Sequence, residues 1–288
     1  MTPDTPSPAE HQHTCKSCGH VFSGSYCNLC GEKIIEARDR KLNSVISTVL
    51  IATTIVDNRF VKSLRYTISN PGFLSKEYVT GRRVMYMRPL QMFFILNLVY
   101  FLFPVLQMFN SSLNTQRNIL PHSRLARIVI TEKIKDGGFN ATGFELMYNA
   151  KTTSLAKLLI VVFVLLASLP LSLIFAKKNR YFTDHVALAV ELTSFNLAVN
   201  AIGLTMLFWM ISAIFQWGNL GWGVYLNDLT LTIIFVLTNL YFLFRAARTF
   251  YNQQGKRPII KASLGIIGLF LALEAYRFVL FFITVWSL

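Results

Sequence analysis

Long apolar stretches, separated by short polar or basic segments, make up most of the chain after residue 89. A helix needs about 20 mainly apolar residues to cross a bilayer. Stretches of this kind run roughly over residues 90–109, 155–176, 186–215, 224–244 and 262–286. The pattern predicts an all-α, polytopic membrane bundle of about five transmembrane helices at residues 90–288, with an external loop at residues 110–154.

Shorter amphipathic segments precede the first predicted span, and we assign residues 33–89 to cytoplasmic or interfacial helices. Residues 42–56 are apolar but, at about 15 residues, too short to cross, so they favour an interfacial or re-entrant helix. In residues 59–69, apolar side chains share one side and basic ones surround them. This is typical of a helix lying on the membrane, but it also fits a solvated face packed against the next helix.

Residues 70–89, NPGFLSKEYVTGRRVMYMRP, join these helices to the first predicted span. Asn70 is suited to cap a helix that Pro71 begins at its first position. Gly81 is suited to end that helix in a left-handed conformation, and Pro89 then opens the apolar run. The sequence therefore predicts one short helix with defined ends directly before the membrane.

A charged cluster lies in the same segment. Its one acid, Glu77, is beside Tyr78, and three arginines follow at Arg82, Arg83 and Arg88. Glu77 is placed to hold Arg82 or Arg83 in a fixed orientation. Basic residues directly before a span favour the cytoplasmic face and attract anionic lipids, so we expect this cluster to bind lipid headgroups.

The chain carries a formal charge of +14, although only 15% of its 288 residues are charged. Because the cations stand mainly at the ends of apolar runs, we expect an anionic lipid bilayer as the partner and no nucleic acid. Their distribution predicts a bacterial inner-membrane protein with a cytoplasmic N-terminus and an external C-terminus. The basic residues of the 110–154 loop are an exception: this loop could form a small outer cap of strand or short-helix character, bind external anions, or be a solvated connector.

All four cysteines lie within residues 14–32, after a polar segment at residues 1–13 that we expect to be disordered. Two C-x-x-C-G turns, eight residues apart, predict a zinc ribbon with a closed structural Zn²⁺ site formed by Cys15, Cys18, Cys27 and Cys30. The alternatives are a redox dithiol, which needs an absent βαβ context, or two disulfides, which need an oxidising compartment. A site this small folds with its metal, so we expect the ribbon to dock a cytoplasmic protein partner.

Polar residues inside the predicted spans are candidates for function because they are costly in a membrane. In the last span, Glu274 and Arg277 are spaced to pair on one helix face. The remaining candidates lie in the third and fourth spans: Glu191, Asn196, Asn200, Asp228 and Asn239. These residues could line a polar crevice between the last three spans, or they could hold the bundle together by interhelical hydrogen bonds.

The order of features also resembles an uncharacterised bacterial integral membrane family, defined as a domain of unknown function. The matching pattern is the double cysteine knuckle, then D-x-x-F, PG-x-x-x-x-E-Y-x-x-G-R-R and a span. It is carried by Asp57, Phe60, Leu64, Pro71, Gly72, Glu77, Tyr78, Gly81, Arg82, Arg83, Tyr86 and Pro89, with a second match at residues 250–265. Members of that family tend to have several histidines at the start of the third span, where this chain has His185 alone. The resemblance implies a topology and a zinc ribbon, and it supplies no activity.

Signatures of enzymes are scarce in the chain, which has no HExxH, GxSxG, P-loop or GxGxxG motif. We therefore expect a non-enzymatic membrane scaffold or accessory protein whose cytoplasmic ribbon docks a partner. One alternative is a transporter or lipid-handling protein that uses the polar crevice. Another is an intramembrane enzyme, which requires the polar residues to converge on one water-accessible point. His185, just before the third span, is more often an interfacial hydrogen-bonding residue at such a position than a base or a ligand.

Overall fold

A computed structural model describes residues 12–15, 18–24, 26–29, 58–82, 85–103, 109–176, 180–216 and 228–288, with the backbone alone at residues 12, 58, 211–216, 228 and 229. The chain divides into two compact units, Met1–Asp57 and Asn58–Leu288. Their boundary falls inside the region predicted to hold the cytoplasmic and interfacial helices. The interfacial helix predicted at residues 42–56 lies outside the described residues.

The N-terminal unit contains a two-stranded antiparallel ribbon. Strand β1 is Gln12–Thr14 and strand β2 is Val21–Ser23, paired with Gln12 opposite Ser23. Strand β1 thus begins two residues before the predicted end of the disordered tail. The strands flank the first cysteine turn, where Gly19 has a φ of 72° and its N–H donates to the carbonyl of Cys15 at 2.9 Å.

The second unit is helical throughout its described residues. The helices are α1 Asn58–Ser69, α2 Phe73–Val79, α3 Pro89–Leu102, α4 Leu113–Asn118, α5 Ser123–Gly137, α6 Ala141–Ile174, α7 Phe182–Phe195, the π-helix Asn196–Gly203, α8 Leu204–Gln216, α9 Asp228–Thr249 and α10 Arg257–Trp286. The all-α prediction is confirmed.

Four helical segments in the described part of the chain are long and apolar enough to cross a membrane. They are Ala141–Ile174, Phe182–Met210, Thr230–Thr249 and Arg257–Trp286. These correspond to the last four predicted spans. The first predicted span differs: helix α3 begins at Pro89 as expected but has only 14 residues, about 21 Å of helix. The fold is a multi-pass helical membrane bundle.

Helix α3 runs between two ends of this bundle. At one end, which we call the basal end, α2 packs against the last turns of α9, and Gly72 lies beside Ala246. At the other, which we call the cap end, the side-chain amide of Asn97 on α3 donates to the carbonyl of Lys157 at 3.3 Å. The ammonium of Lys157 in turn donates to the carbonyl of Phe101 at 3.1 Å.

The predicted loop at residues 110–154 is a helical cap rather than an extended connector. Helices α4 and α5 form it together with the first turns of α6, which begins well before the predicted span. Asn140 caps α6 by accepting the N–H of Gly143 at 2.6 Å, and Gly138, with a φ of 63°, ends α5. The cap has an apolar cluster of its own, formed by Leu113, Ala126, Ile130, Phe144, Tyr148, Phe281 and Val285.

Candidate functional site

The start of helix α2 is closely packed against the bundle. Gly72 precedes the helix with a φ of 81°, and a Cβ built there would lie 3.0 Å from the Cα of Ala246. Both the conformation and the contact require glycine. The N–H groups that open the helix point into the protein, where they need acceptors.

Glu191 on α7 supplies those acceptors. Its side chain is fully buried. One carboxylate oxygen accepts the N–H of Gly72 at 3.0 Å, and the other accepts the N–H and hydroxyl of Ser75 at 2.7 and 2.5 Å. A carboxylate is favoured at a helix N-terminus, where the helix dipole is positive. Glu191 therefore anchors α2 to the bundle.

Asn70 does not cap α2, so that prediction was wrong. The helix begins at Phe73, after Gly72, and no side chain of the local segment caps it. The side-chain oxygen of Asn70 instead accepts from Arg245 at 3.2 Å and from the hydroxyl of Thr249 at 3.0 Å, both on α9. Asn70 ties the turn before α2 to the bundle.

At the other end of α2, Glu77 pairs with Arg82, one of the two arginines that it was predicted to hold. Glu77 is buried, and its carboxylate lies 3.1 Å from the guanidinium of Arg82, whose side chain is 67% exposed. Gly81, with a φ of 90°, makes the predicted left-handed turn between them. Tyr78 is half-buried and Arg88 is exposed, whereas Arg83 lies outside the described residues.

His185 is buried at the basal end and forms a hydrogen bond. Its Nδ1 lies 2.7 Å from the hydroxyl of Tyr251, a residue between α9 and α10. Burial raises the pKa of the Tyr251 hydroxyl, so this group stays protonated and can donate to the ring nitrogen. The geometry is that of a structural hydrogen bond between α7 and the turn that joins α9 to α10.

Asparagines connect the π-helix to α9. The side-chain amides of Asn196 and Asn239 bond each other reciprocally, both at 2.9 Å. Asn200 donates to Asn196 at 2.7 Å and accepts from the hydroxyl of Thr238 at 3.0 Å. Because each hydrogen bond between these side-chain amides satisfies two buried polar groups, the network holds the two helices in register. π-helical turns often occur at functional positions.

A cavity of about 530 Å³ adjoins this network. Its walls come from the π-helix, from α9, from α10 and from the turn before α4, and its polar wall residues include Asn196, Asn239 and Arg277. Arg277 pairs with Glu274 at 3.0 Å, as the sequence predicted. The structure thus assembles part of the predicted crevice, while Glu191 caps α2 elsewhere, Asn200 is not among the wall residues and the Asp228 side chain is outside the described atoms.

The cysteine turns form a site that can hold a metal ion. The sulfur atoms of Cys15, Cys18 and Cys27 lie within 4.8 Å of one another, and those of Cys18 and Cys27 are 3.7 Å apart. No disulfide joins these three cysteines to one another. Cys15 and Cys27 are buried. Cys30, the fourth predicted ligand, lies outside the described residues.

The fold and these sites define a class, a multi-pass helical membrane protein with a small cysteine cluster that can bind a metal. A family model described as "Protein of unknown function (DUF3667)" matches residues 57–101. This segment spans α1, α2 and most of α3, and it contains Gly72, Ser75 and the Glu77–Arg82 pair. No curated protein and no solved structure matches the chain.

Sequence reasoning missed the partners of Glu191 and most of the polar residues under the cap. Gly72 and Ser75 lie in the segment of residues 70–89, but nothing in the local sequence links them to a carboxylate more than 110 residues away. Only the structure shows that α2 opens without a local capping side chain, so that its first N–H groups take their acceptors from Glu191 on α7.

Proposed function

We propose that this chain is a non-enzymatic scaffold or accessory protein of the bacterial inner membrane. Its basal end faces the cytoplasm and binds anionic lipid headgroups, and its N-terminal zinc ribbon docks a cytoplasmic protein partner. The observation that carries the proposal is the Glu77–Arg82 pair, in which a buried carboxylate holds an exposed guanidinium at the membrane-proximal surface. A fixed cation loses less conformational entropy on binding a headgroup than a free one.

The surroundings of Arg82 support a role in lipid binding. Within described residues 58–82 and 85–88 there are six cations and one acid, Glu77. Four of the cations are exposed: Arg59, Arg65, Arg82 and Arg88. Each basic residue beside an anionic membrane contributes about 1 kcal/mol of attraction. The cluster is therefore suited to a leaflet rich in anionic lipids.

The basal end also carries the basic connections between helices, which supports its cytoplasmic orientation. Arg180 precedes α7, and Lys256 directly precedes α10, which begins at Arg257. Cytoplasmic loops are enriched in lysine and arginine. Helix α10 starts at this end, so the same orientation puts the C-terminus outside.

Zinc is the metal that best suits the cysteine cluster. Zn–S bonds of about 2.3 Å in a tetrahedron put the sulfurs about 3.8 Å apart, and the Cys18 and Cys27 sulfurs are separated by 3.7 Å. Cys30 supplies the fourth thiolate in this proposal. The small ribbon exposes three large apolar side chains, Val21, Tyr26 and Leu29, which suit contact with a protein.

We expect purified full-length protein to contain about one zinc per chain and Cys27→Ser to lose it, because one thiolate of a closed site is removed. Mass spectrometry of the purified protein measures the zinc content, and thiol labelling in native membranes measures whether the cysteines are reduced. The control is His13→Ser, which should keep the metal because His13 is not in the cluster. Disulfides in native membranes together with absent zinc would contradict both the ribbon and the cytoplasmic orientation.

Replacing both Arg82 and Arg88 by alanine should weaken binding of phosphatidylglycerol about fivefold per arginine, since each contributes about 1 kcal/mol. Retention of this lipid during detergent exchange, quantified by mass spectrometry, gives the readout. The paired control, Arg117→Ala with Arg124→Ala, removes two exposed cations from the helical cap. Equal retention in both double variants would contradict a specific role for the Glu77-held cluster.

A further inference from the structure

Buried polar atoms without hydrogen-bond partners concentrate in one part of the second unit. Among the described residues, eight buried side-chain nitrogen or oxygen atoms have no partner. Six of them belong to residues beneath the helical cap: Ser111, Gln116, Tyr148, Thr152, Glu274 and Arg277. Such atoms are rare in folded proteins because each costs free energy. Their concentration indicates that something polar completes this region.

The six residues come from α4 and the turn before it, from α6 and from α10, which meet beneath the cap. Gln116 on α4 bonds His122 through its side-chain oxygen at 2.7 Å, which leaves its amide nitrogen without an acceptor. The hydroxyl of Tyr148 on α6 faces Thr152 and Gln116, yet none of these groups reaches hydrogen-bond geometry with another. On α10, Glu274 and Arg277 pair through one oxygen and one nitrogen only.

The cavity of about 530 Å³ reaches this polar region. Ser111 and Arg277 are among its wall residues, and Ser111 is 5% exposed with a hydroxyl that has no partner in the described structure. The rest of the wall is largely apolar, from α9 and α10. A volume of this size is in the range of ligand pockets, roughly 300–1,000 Å³.

The cavity is also accessible from the surface of the bundle. Val236 on α9 and Phe270 on α10 both line it and are 38% and 57% exposed. These helices are candidate membrane spans, so an acyl chain in the bilayer has a lateral path between them. The combination of an apolar wall and a polar end suits an amphiphile.

The charges at the polar end identify the kind of headgroup. Arg277 and Glu274 offset each other, and burial lowers the pKa of His122, which therefore stays neutral at pH 7. Of this ion pair, Arg277 lines the cavity, and its Nε–H has no acceptor in the described structure. Because Glu274 already neutralises the guanidinium, a charged head finds no net opposite charge here, whereas a hydroxyl can accept from Arg277 and bond the hydroxyl of Ser111.

We propose that this cavity binds a membrane amphiphile with an uncharged, hydroxyl-bearing head, of the glycerol or sugar type. The head lies beneath the cap beside Ser111 and Arg277, and the tail follows the apolar walls of α9 and α10. The proposed site shares no residue with the basal arginines or the cysteine cluster, so it neither needs nor tests the scaffold role proposed above.

Photo-crosslinking of the full-length protein in phosphatidylcholine nanodiscs tests the site. The probe is a monoacylglycerol with a diazirine in its acyl chain, and labelled peptides are mapped by mass spectrometry. Labelling should concentrate on α9 and α10 around Val236 and Phe270, and monooleoylglycerol should compete better than oleate or oleylamine. Labelling spread over the lipid-facing surface would overturn the site, and equal competition by all three amphiphiles would overturn the headgroup assignment.

Two variants test the polar and apolar parts separately. Ser111→Ala should reduce labelling about fivefold, the effect of losing one hydrogen bond, with an unchanged melting temperature because this hydroxyl has no partner to lose. Val236→Phe fills the cavity from a partly exposed position and should block labelling. Ser172→Ala, distant on α6 and hydrogen-bonded to Leu169, is the matched control. Unchanged labelling in both test variants would mean that the polar cluster holds only water.

Discussion

Replacing Glu191 by leucine is expected to destabilise the protein by about 3 kcal/mol and to release α2 from the bundle. The substitution keeps an apolar side chain in place but removes both carboxylate oxygens. The N–H groups of Gly72 and Ser75, bound at 3.0 and 2.7 Å, are then buried without acceptors. The Ser75 hydroxyl retains a second bond to the carbonyl of Ala187 at 3.1 Å, which limits the loss.

Thermal unfolding of the detergent-solubilised protein measures this loss, and about 3 kcal/mol corresponds to roughly 8 °C. Limited proteolysis around residues 70–82 reports the release of α2. Glu191→Gln keeps one acceptor oxygen, so its melting temperature should lie between those of Glu191→Leu and the native protein. The control is Glu132→Leu, which removes an exposed carboxylate from α5. If Glu191→Leu melted at the same temperature as the Glu132→Leu control, α2 would be held by other contacts.

The second large effect is expected at Gly72. Alanine there must adopt a φ near 81° and place its Cβ against the backbone of Ala246 at 3.0 Å. The left-handed conformation costs about 1–2 kcal/mol, and overpacking adds about 1–3 kcal/mol. We therefore expect a loss of about 3 kcal/mol for Gly72→Ala, close to that for Glu191→Leu.

Gly81 offers a matched comparison for this prediction. It has a φ of 90° and no atom within 4 Å of a built Cβ, so Gly81→Ala incurs the conformational cost alone, about 1–2 kcal/mol. The difference between the two melting temperatures measures the contact with α9. Equal melting temperatures would indicate that the close approach of Gly72 to Ala246 does not stabilise the bundle.

Local sequence was sufficient wherever the interacting groups are close together in the chain. The Glu274–Arg277 and Glu77–Arg82 pairs join residues three and five positions apart, and the cysteine cluster gathers ligands within one short ribbon. At these spacings a turn or helix fixes the geometry, so the residue types predict the contact.

The cap was harder to predict because its sequence is ambiguous. Residues 125–134, LARIVITEKI, combine β-branched residues with helical spacing, and short apolar runs of this kind fit either a strand or a helix. In the helix that this segment forms, Ala126 and Ile130 are buried in the cluster that includes Phe281. The other half of that cluster comes from the end of α10, more than 140 residues later, where local sequence has no influence.

By itself, the sequence determined that this is a multi-pass helical membrane protein with a cysteine cluster, because a bilayer requires each spanning segment to satisfy its own backbone hydrogen bonds. Apolar length located the four helices that are long enough to cross, although it also predicted a span at residues 90–109, where α3 has only 14 residues. Only the tertiary structure decided what the polar groups inside them do. Glu191 caps a helix from another part of the chain, Asn196 pairs with Asn239, and Arg277 borders a cavity. A buried polar group acts through its partners, and those partners are set by how the helices pack.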